Sequence, residues 1–259
     1  MKQSIYRLFI ELTNKKWSSQ LLNKFSRSRL SKPLVGSFAR TYRINHQEME
    51  YPMNHYNTLH DFFIRTLKPE VRKIDYGADH VVSPVDALLE DSGTIEPTRE
   101  FMVKGKRYSI VDMLGTEEKA EKYRGGYFLV LYLSPAHYHR IHSPINGEVI
   151  NNWTLGEHSY PVNKIGLKFG REPLSKNYRS ITELRHNKGY MAVVKVGAMF
   201  VNTIVLTYTE SNWTQGEEVA YFNFGSTVVL LFEKDTFLMA PHLSTPTEVK
   251  VGQKIGRLI

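Results

Sequence analysis

Apolar residues fall into two textures along this chain. In the first seventy or so residues they recur three and four apart: Ile5, Leu8, Phe9 and Leu12 share one helical face, Leu21, Leu22 and Phe25 form a second apolar cluster, and the stretch 59–67 stops near Pro69. That spacing predicts amphipathic helices. From about Val81 the texture changes to short apolar runs, rich in aromatic and β-branched residues and separated by Gly, Pro and Asn, at 127–133, 148–153, 190–196, 199–208 and 227–232. These predict strands. The late segment 249–256 reads as a closing strand and turn, a hairpin with a structural role only. The fold class expected is α+β, N-terminal amphipathic helices followed by a mainly antiparallel β core, with residues 1–75 as a helical region and 76–259 as a β-rich domain. Neither repeats nor low-complexity linkers interrupt it.

Charge changes the picture of the helical part. Of 34 Lys and Arg, ten lie in residues 1–45, where the sole acid is Glu11; the remainder is close to neutral. Basic residues interleaved with apolar helical faces fit helices that lie in a lipid interface, against anionic headgroups. A core-packed helix pair with a solvated basic face is the plainer alternative. Nucleic acid is not expected as a partner, because no binding motif accompanies the basic arm. There is no cysteine, so disulfides, thiolate nucleophiles and Cys-based zinc sites are excluded. No stretch has a signal peptide's apolar core or the length of a spanning helix. The expected location is therefore peripheral, on the cytoplasmic side of the cell membrane.

Three clusters carry candidate chemistry. Gly225-Ser226 enters an apolar strand; Gly-Ser-Thr commonly opens strands, but Gly-Ser is also the bond at which some proenzymes cut themselves and convert the serine to a pyruvoyl group. The run 127–133 delivers a turn containing His137, His139 and His142. Asp86 follows the proline turn Ser83-Pro84-Val85. Alone, Asp86 reads as a turn cap. Together the three clusters supply a serine, histidine and aspartate set, which is recognised by roles rather than by order along the chain. Zinc ligation by the three histidines is the rival from another enzyme class, but the helical His-Glu-x-x-His arrangement is missing; no metal is expected.

Eight segments in order, 62–69 (Phe-Phe-Ile-Arg-Thr-Leu-Lys-Pro), 83–86, 103–105 with Tyr108-Ser109, 132–142, Pro161-Val162-Asn163, Val196-Gly197-Ala198, Gly216-Glu217-Glu218 and 225–227, make the whole chain resemble the bacterial, pyruvoyl-dependent phosphatidylserine decarboxylases. Ala87, where the family often has Gly, and Val219-Ala220, in place of a more usual Met-Gly, depart from it without removing a reactive group. The resemblance implies cleavage between 225 and 226 into a long chain, 1–225, and a short chain, 226–259, that stay associated. His142, held by Asp86, would act as base on Ser226, which attacks the Gly225 carbonyl. The pyruvoyl group made from Ser226 would be the cofactor, and His139 would serve decarboxylation. His137 falls outside the family's histidine pair and reads as a solvated surface residue, while Tyr138 and Arg140 alternate with the histidines and face away. Phosphatidylserine and an anionic membrane surface are the implied partners, with a homo-oligomer also implied. Two readings compete: another pyruvoyl-dependent amino-acid decarboxylase, and a non-catalytic peripheral membrane module.

Overall fold

The computed structural model describes residues 24–163, 166–167, 170, 172–198, 204–208, 210–223 and 226–259. The helical face of Ile5 to Leu12, the pair Leu21-Leu22 and the expected cleavage residue Gly225 lie outside the described residues. Within the first 75 residues, α1 (Leu34–Thr41) and α2 (Leu59–Phe63) enclose a small core of Val35, Ala39, Ile44, Met49, Tyr56 and Phe62. α2 starts where Thr58 Oγ1 accepts a hydrogen bond from the Asp61 amide at 3.0 Å, an N-cap. It is shorter than the expected 59–67. Past Ile64 the backbone turns to pairing instead: Leu67 bridges Met49, and the Glu50 amide donates to Thr66 O at 3.1 Å. The apolar side chains that suggested a further helical turn serve this bridge, a tertiary contact overriding local periodicity.

Strands dominate from residue 80 onward. β1 (His80–Val82) and β2 (Ala87–Thr94) precede a hairpin of β3 (Glu100–Val103) and β4 (Lys106–Ser109), followed by α3 (Ile110–Leu114) and α4 (Glu117–Glu121). Next come β5 (Tyr127–Leu133), β6 (Arg140–His142), β7 (Gly147–Leu155), α5 (Pro173–Lys176), β8 (Arg179–His186) and β9 (Gly189–Gly197). The last are β10 (Ile204–Leu206), β11 (Asn212–Trp213), β12 (Glu218–Phe222), β13 (Ser226–Phe232), β14 (Phe237–Met239), β15 (Thr247–Val249) and β16 (Lys254–Leu258). An eight-stranded antiparallel sheet runs β11-β7-β8-β9-β13-β5-β2-β15, and two three-stranded sheets, β1-β16-β14 and β10-β12-β6, accompany it.

Both faces of the large sheet are buried around β5 and β13, which is why those strands lack a polar alternation. From β5, Leu129, Leu131 and Leu133 join one core with Ile141, Val219, Ala220 and Phe222 of β6 and β12. Phe128 and Val130 face the other core, under Phe101, Tyr108, Ile110, Met113 and Leu174. β13 divides in the same way, Val228, Leu230 and Phe232 against Val229 and Leu231. At roughly 1.5–3 kcal/mol for each large side chain taken from water, these paired cores are the main source of stability.

The segment 249–256 is not a hairpin. β15 pairs with β2 and β16 with β1 and β14, so the two strands never bond to each other. The turn between them transfers the chain from the large sheet to a small one. Gly252 sits in it at φ +82, where a Cβ would come within 2.6 Å of Lys73 O, a position open only to glycine.

Candidate active site

The turn joining β5 to β6 presents the histidines, and it is locked by its own hydrogen bonds. The His137 amide donates to Ser134 O at 3.0 Å, and the Ser134 amide returns a bond to His137 Nδ1 at 3.1 Å. Nδ1 is thus an acceptor, so the proton of His137 sits on Nε2, which lies 3.2 Å from Glu248 Oε2 of β15. His137 is not the solvated residue expected; its side chain is 18 % exposed. Its Nδ1 is tied to its own turn, and its Nε2 reaches the mostly exposed Glu248 carboxylate.

His139 is fully buried. Its Nδ1 lies 2.9 Å from His137 O, and since a carbonyl only accepts, Nδ1 carries the proton and Nε2 is bare. Nε2 has no hydrogen-bond partner. The Phe63 ring packs on the imidazole at 4.0 Å between centroids, and the Phe222 amide of β12 donates to His139 O at 3.0 Å. Burial, with the Arg65 charge and His137 adding to it, pushes the His139 pKa well below the ordinary imidazole value.

His142 has the same tautomer. Its Nδ1 donates to Gly216 O at 2.8 Å, leaving Nε2 to accept from the Tyr138 hydroxyl at 3.2 Å. Tyr138 therefore faces the site rather than away from it, and is buried. Arg140 does turn elsewhere, to Glu218 at 2.7 Å and Ile64 O at 3.0 Å. Burial lowers the His142 pKa, while the bond to Gly216 and the negative charges of Glu218 and Asp86 pull it back up.

Asp86 was expected to hold His142, but it makes no hydrogen bond to that ring. The Arg72 guanidinium grips it with two bonds, Nε to Oδ1 at 2.8 Å and Nη2 to Oδ2, and the Val251 amide donates to Oδ1 at 2.9 Å. Arg72 also reaches Glu48 Oε2 at 2.7 Å, and Glu48 in turn meets Lys250 Nζ at 3.4 Å. A planar fork against a carboxylate outcompetes a single imidazole bond. Asp86 thus bears on His142 through its charge rather than by contact.

Ser226 opens β13, paired with Leu133 of β5 on one side and Gly197 of β9 on the other. Side chains alternate along a strand, so Ser226 shares the face of Val228 and Leu230, the face packed against β6 and β12. It is fully buried and its Oγ has no hydrogen-bond partner. An unpaired buried hydroxyl costs about 1–3 kcal/mol, a cost that calls for an explanation, and a reactive role is one. The chain runs only four residues from Phe222, which holds His139, to Ser226.

Sequence reading missed Arg65, Arg72, Tyr138 and Gly216. Tyr138 stood between the histidines, Arg65 inside the segment 62–69 and Gly216 at the head of the matching segment 216–218, so all three had a signal. Arg72 had none: its partners are 14 and 24 residues away along the chain.

A family model described as phosphatidylserine decarboxylase matches residues 59–257. The phosphatidylserine decarboxylase proenzyme of Anoxybacillus flavithermus is 57% identical over 258 residues, covering 100% of this chain and 97% of its own. That of a Geobacillus species is 54% identical over 258 residues with 100% of both chains covered, and that of Bacillus mycoides 53% over 256 residues, 99% of this chain and 98% of its own. Such likeness over the full length makes the protein an enzyme, a carboxy-lyase. The chain belongs to the phosphatidylserine decarboxylase family.

Proposed function

We propose that the protein cuts itself between Gly225 and Ser226 and then decarboxylates phosphatidylserine to phosphatidylethanolamine, a step of phospholipid biosynthesis. The observation that carries this reading is the unpartnered, buried Ser226 hydroxyl at the mouth of the central strand, on the face packed against the histidine-bearing strand. His142 Nε2 is the bare nitrogen that can take the Ser226 hydroxyl proton once Tyr138 swings off it, and the Asp86 charge favours that proton's arrival. Ser226 Oγ then bonds to the Gly225 carbonyl carbon, the Ser226 nitrogen leaves with a proton, and an ester replaces the amide. Loss of the Ser226 α-proton expels the Gly225 carboxylate, and water replaces ammonia on the dehydrated residue to give a pyruvoyl end.

That end suits the site: the orphaned Oγ marks a buried position with no protein bond to break, and the bare Nε2 of His139 is likewise uncommitted. A pyruvoyl carbonyl supplies an electron sink for a substrate amine that loses carbon dioxide. Residues of this chain manage the protons. His139 Nε2 takes one from the substrate ammonium and returns it to the α-carbon that carbon dioxide leaves.

The two chains stay together because β13, at the head of the short chain, is bonded to β5 and β9 along its length. Peripheral binding to an anionic, cytoplasmic membrane face is supported by exposed Phe25, Leu30, Leu34 and Tyr42 among Arg27, Arg29, Lys32, Arg40 and Arg43, a mix that suits headgroups and acyl chains together. Among the described residues no helix is long and apolar enough to cross a membrane.

The test is turnover of phosphatidylserine in mixed micelles. Wild-type protein is expected to release carbon dioxide and phosphatidylethanolamine, and His139→Ala to yield both fragments yet turn over slower by roughly 10²–10⁴-fold. A His139→Ala protein as fast as wild type removes that histidine from the chemistry; a pyruvoyl-bearing wild type inert on phosphatidylserine moves the enzyme to another amine.

A further inference from the structure

Beside His139 lies a buried cation that the chemistry above does not use. Arg65 follows the end of α2, is only 4 % exposed, and has no carboxylate bonded to it. Its Nη2 donates to Ala136 O at 2.9 Å and to His137 O at 3.0 Å, its guanidinium lies 5.5 Å from the centre of the Phe62 ring, and Nη1 has no hydrogen-bond partner. Taking a guanidinium out of water costs several kcal/mol, and the one carboxylate whose charge favours it, Asp86, makes no hydrogen bond to it. Holding a turn by two carbonyls would not require a charge, since a glutamine amide could do the same.

The His137 carbonyl links the two groups. It accepts from Arg65 Nη2 and from His139 Nδ1 at 2.9 Å, so both its lone pairs are filled. Phe63, two residues before Arg65, packs on the face of the same imidazole. We propose that Arg65 is a positioning residue for His139: it fixes the carbonyl that keeps the proton on Nδ1 and sets its cation beside the buried ring, leaving Nε2 bare until substrate arrives. This inference rests on the reading of His139 as the proton carrier of decarboxylation. The charged or titratable groups acting on His139 are Arg65, from the end of α2, and His137, from its own turn; β12 contributes the Phe222 amide and α2 the Phe63 ring.

The full-length protein tests this with Arg65→Gln, which keeps a donor and drops the charge, and Arg65→Lys, which keeps the charge and drops the fork. Arg65→Gln is expected to cleave into the two chains as wild type does, with kcat lower on the order of 10- to 100-fold and KM little changed. Its acid limb of kcat is expected at higher pH, because without the neighbouring cation His139 takes a proton more easily. Arg65→Lys is expected to return that limb toward the wild-type position. An unmoved limb in Arg65→Gln, or equal losses in both variants, overturns the proposal in favour of a turn-holding role.

Should Arg65→Gln fail to fold, ¹⁵N spectra of histidine-labelled, full-length Ser226→Ala decide. The expected state is a neutral His139 protonated on Nδ1 that resists titration well below the ordinary imidazole range of about 6.5; an Nε2–H tautomer or ordinary titration overturns the proposal. Adding His139→Ala to Arg65→Gln separates the two readings. A double variant no slower than His139→Ala alone means Arg65 acts through His139, and a further loss overturns that. If His139→Ala is itself as fast as wild type, the catalytic reading fails, while the spectra still judge the positioning.

Discussion

Arg72 is the residue on which Asp86 depends. Both side chains are about nine-tenths buried, and among the described residues the Arg72 fork supplies two of the three hydrogen bonds that the Asp86 carboxylate accepts, Val251 supplying the other. Removing one partner of a buried ion pair strands the other charge, at about 3–5 kcal/mol. Arg72→Met is therefore expected to lower Tm by several degrees and to slow self-cleavage at least tenfold, with Glu48→Gln milder because Glu48 is 23 % exposed. A melting curve and a gel time course check this. Wild-type values for both in Arg72→Met would show that Asp86 needs no anchor. The candidate side chains stand out in the sequence because Gly-Ser, clustered histidines and a post-proline acid are conspicuous as types. Their partners do not, since the Asp86–Val251 bond spans 165 residues and no local pattern announces it.

Elements were legible where burial on both faces made them uniformly apolar. The run 127–133 coincides with β5, 190–196 lies inside β9, and 227–232 is β13 without its first residue, Ser226, whose hydroxyl disguised it as turn. β8, Arg-Ser-Ile-Thr-Glu-Leu-Arg-His, escaped because its buried polar side chains find partners only in the fold: Glu183 meets Lys122 and the Tyr123 hydroxyl, and Thr182 meets Asn152 and Lys195. β2 escaped for a related reason. Its register shifts between Leu89 and Asp91, and Glu90, buried there, pairs with Lys104 of the β3–β4 turn. A division at residue 75 also puts Arg65 and Arg72 in the helical region although their side chains serve the β domain. The segment after α2 belongs to the site as much as to the helices, and the family match, beginning at residue 59, includes it.

At the scale of the whole molecule, burial lowers the pKa of His60, His137, His139, His142 and His186 together. Above about pH 6.5 neither the folded nor the unfolded chain protonates them and no stability is lost. Below it the unfolded chain binds protons that the folded chain refuses, so stability falls as pH falls, by up to about 1.4 kcal/mol per pH unit for each histidine until its folded pKa is reached. Glu48, held below the usual carboxylate range by Arg72 and Lys250 against the opposing effect of burial, extends the loss below about pH 4.5. Tm is expected to hold above about pH 6.5 and to drop steadily from there to about pH 5.5; a flat Tm across that lower interval would contradict the neutral buried histidines.

The interlocking of β13 with β5 and β9 also means that cleavage before Ser226 leaves a single folded body, so size-exclusion behaviour cannot reveal it. Denaturing intact-mass spectrometry can. Wild-type protein is expected to give two masses, the smaller starting at residue 226 with a pyruvoyl end, while Ser226→Ala gives one mass near the full 30.0 kDa. A single full-length mass for folded, active wild-type protein would contradict the account.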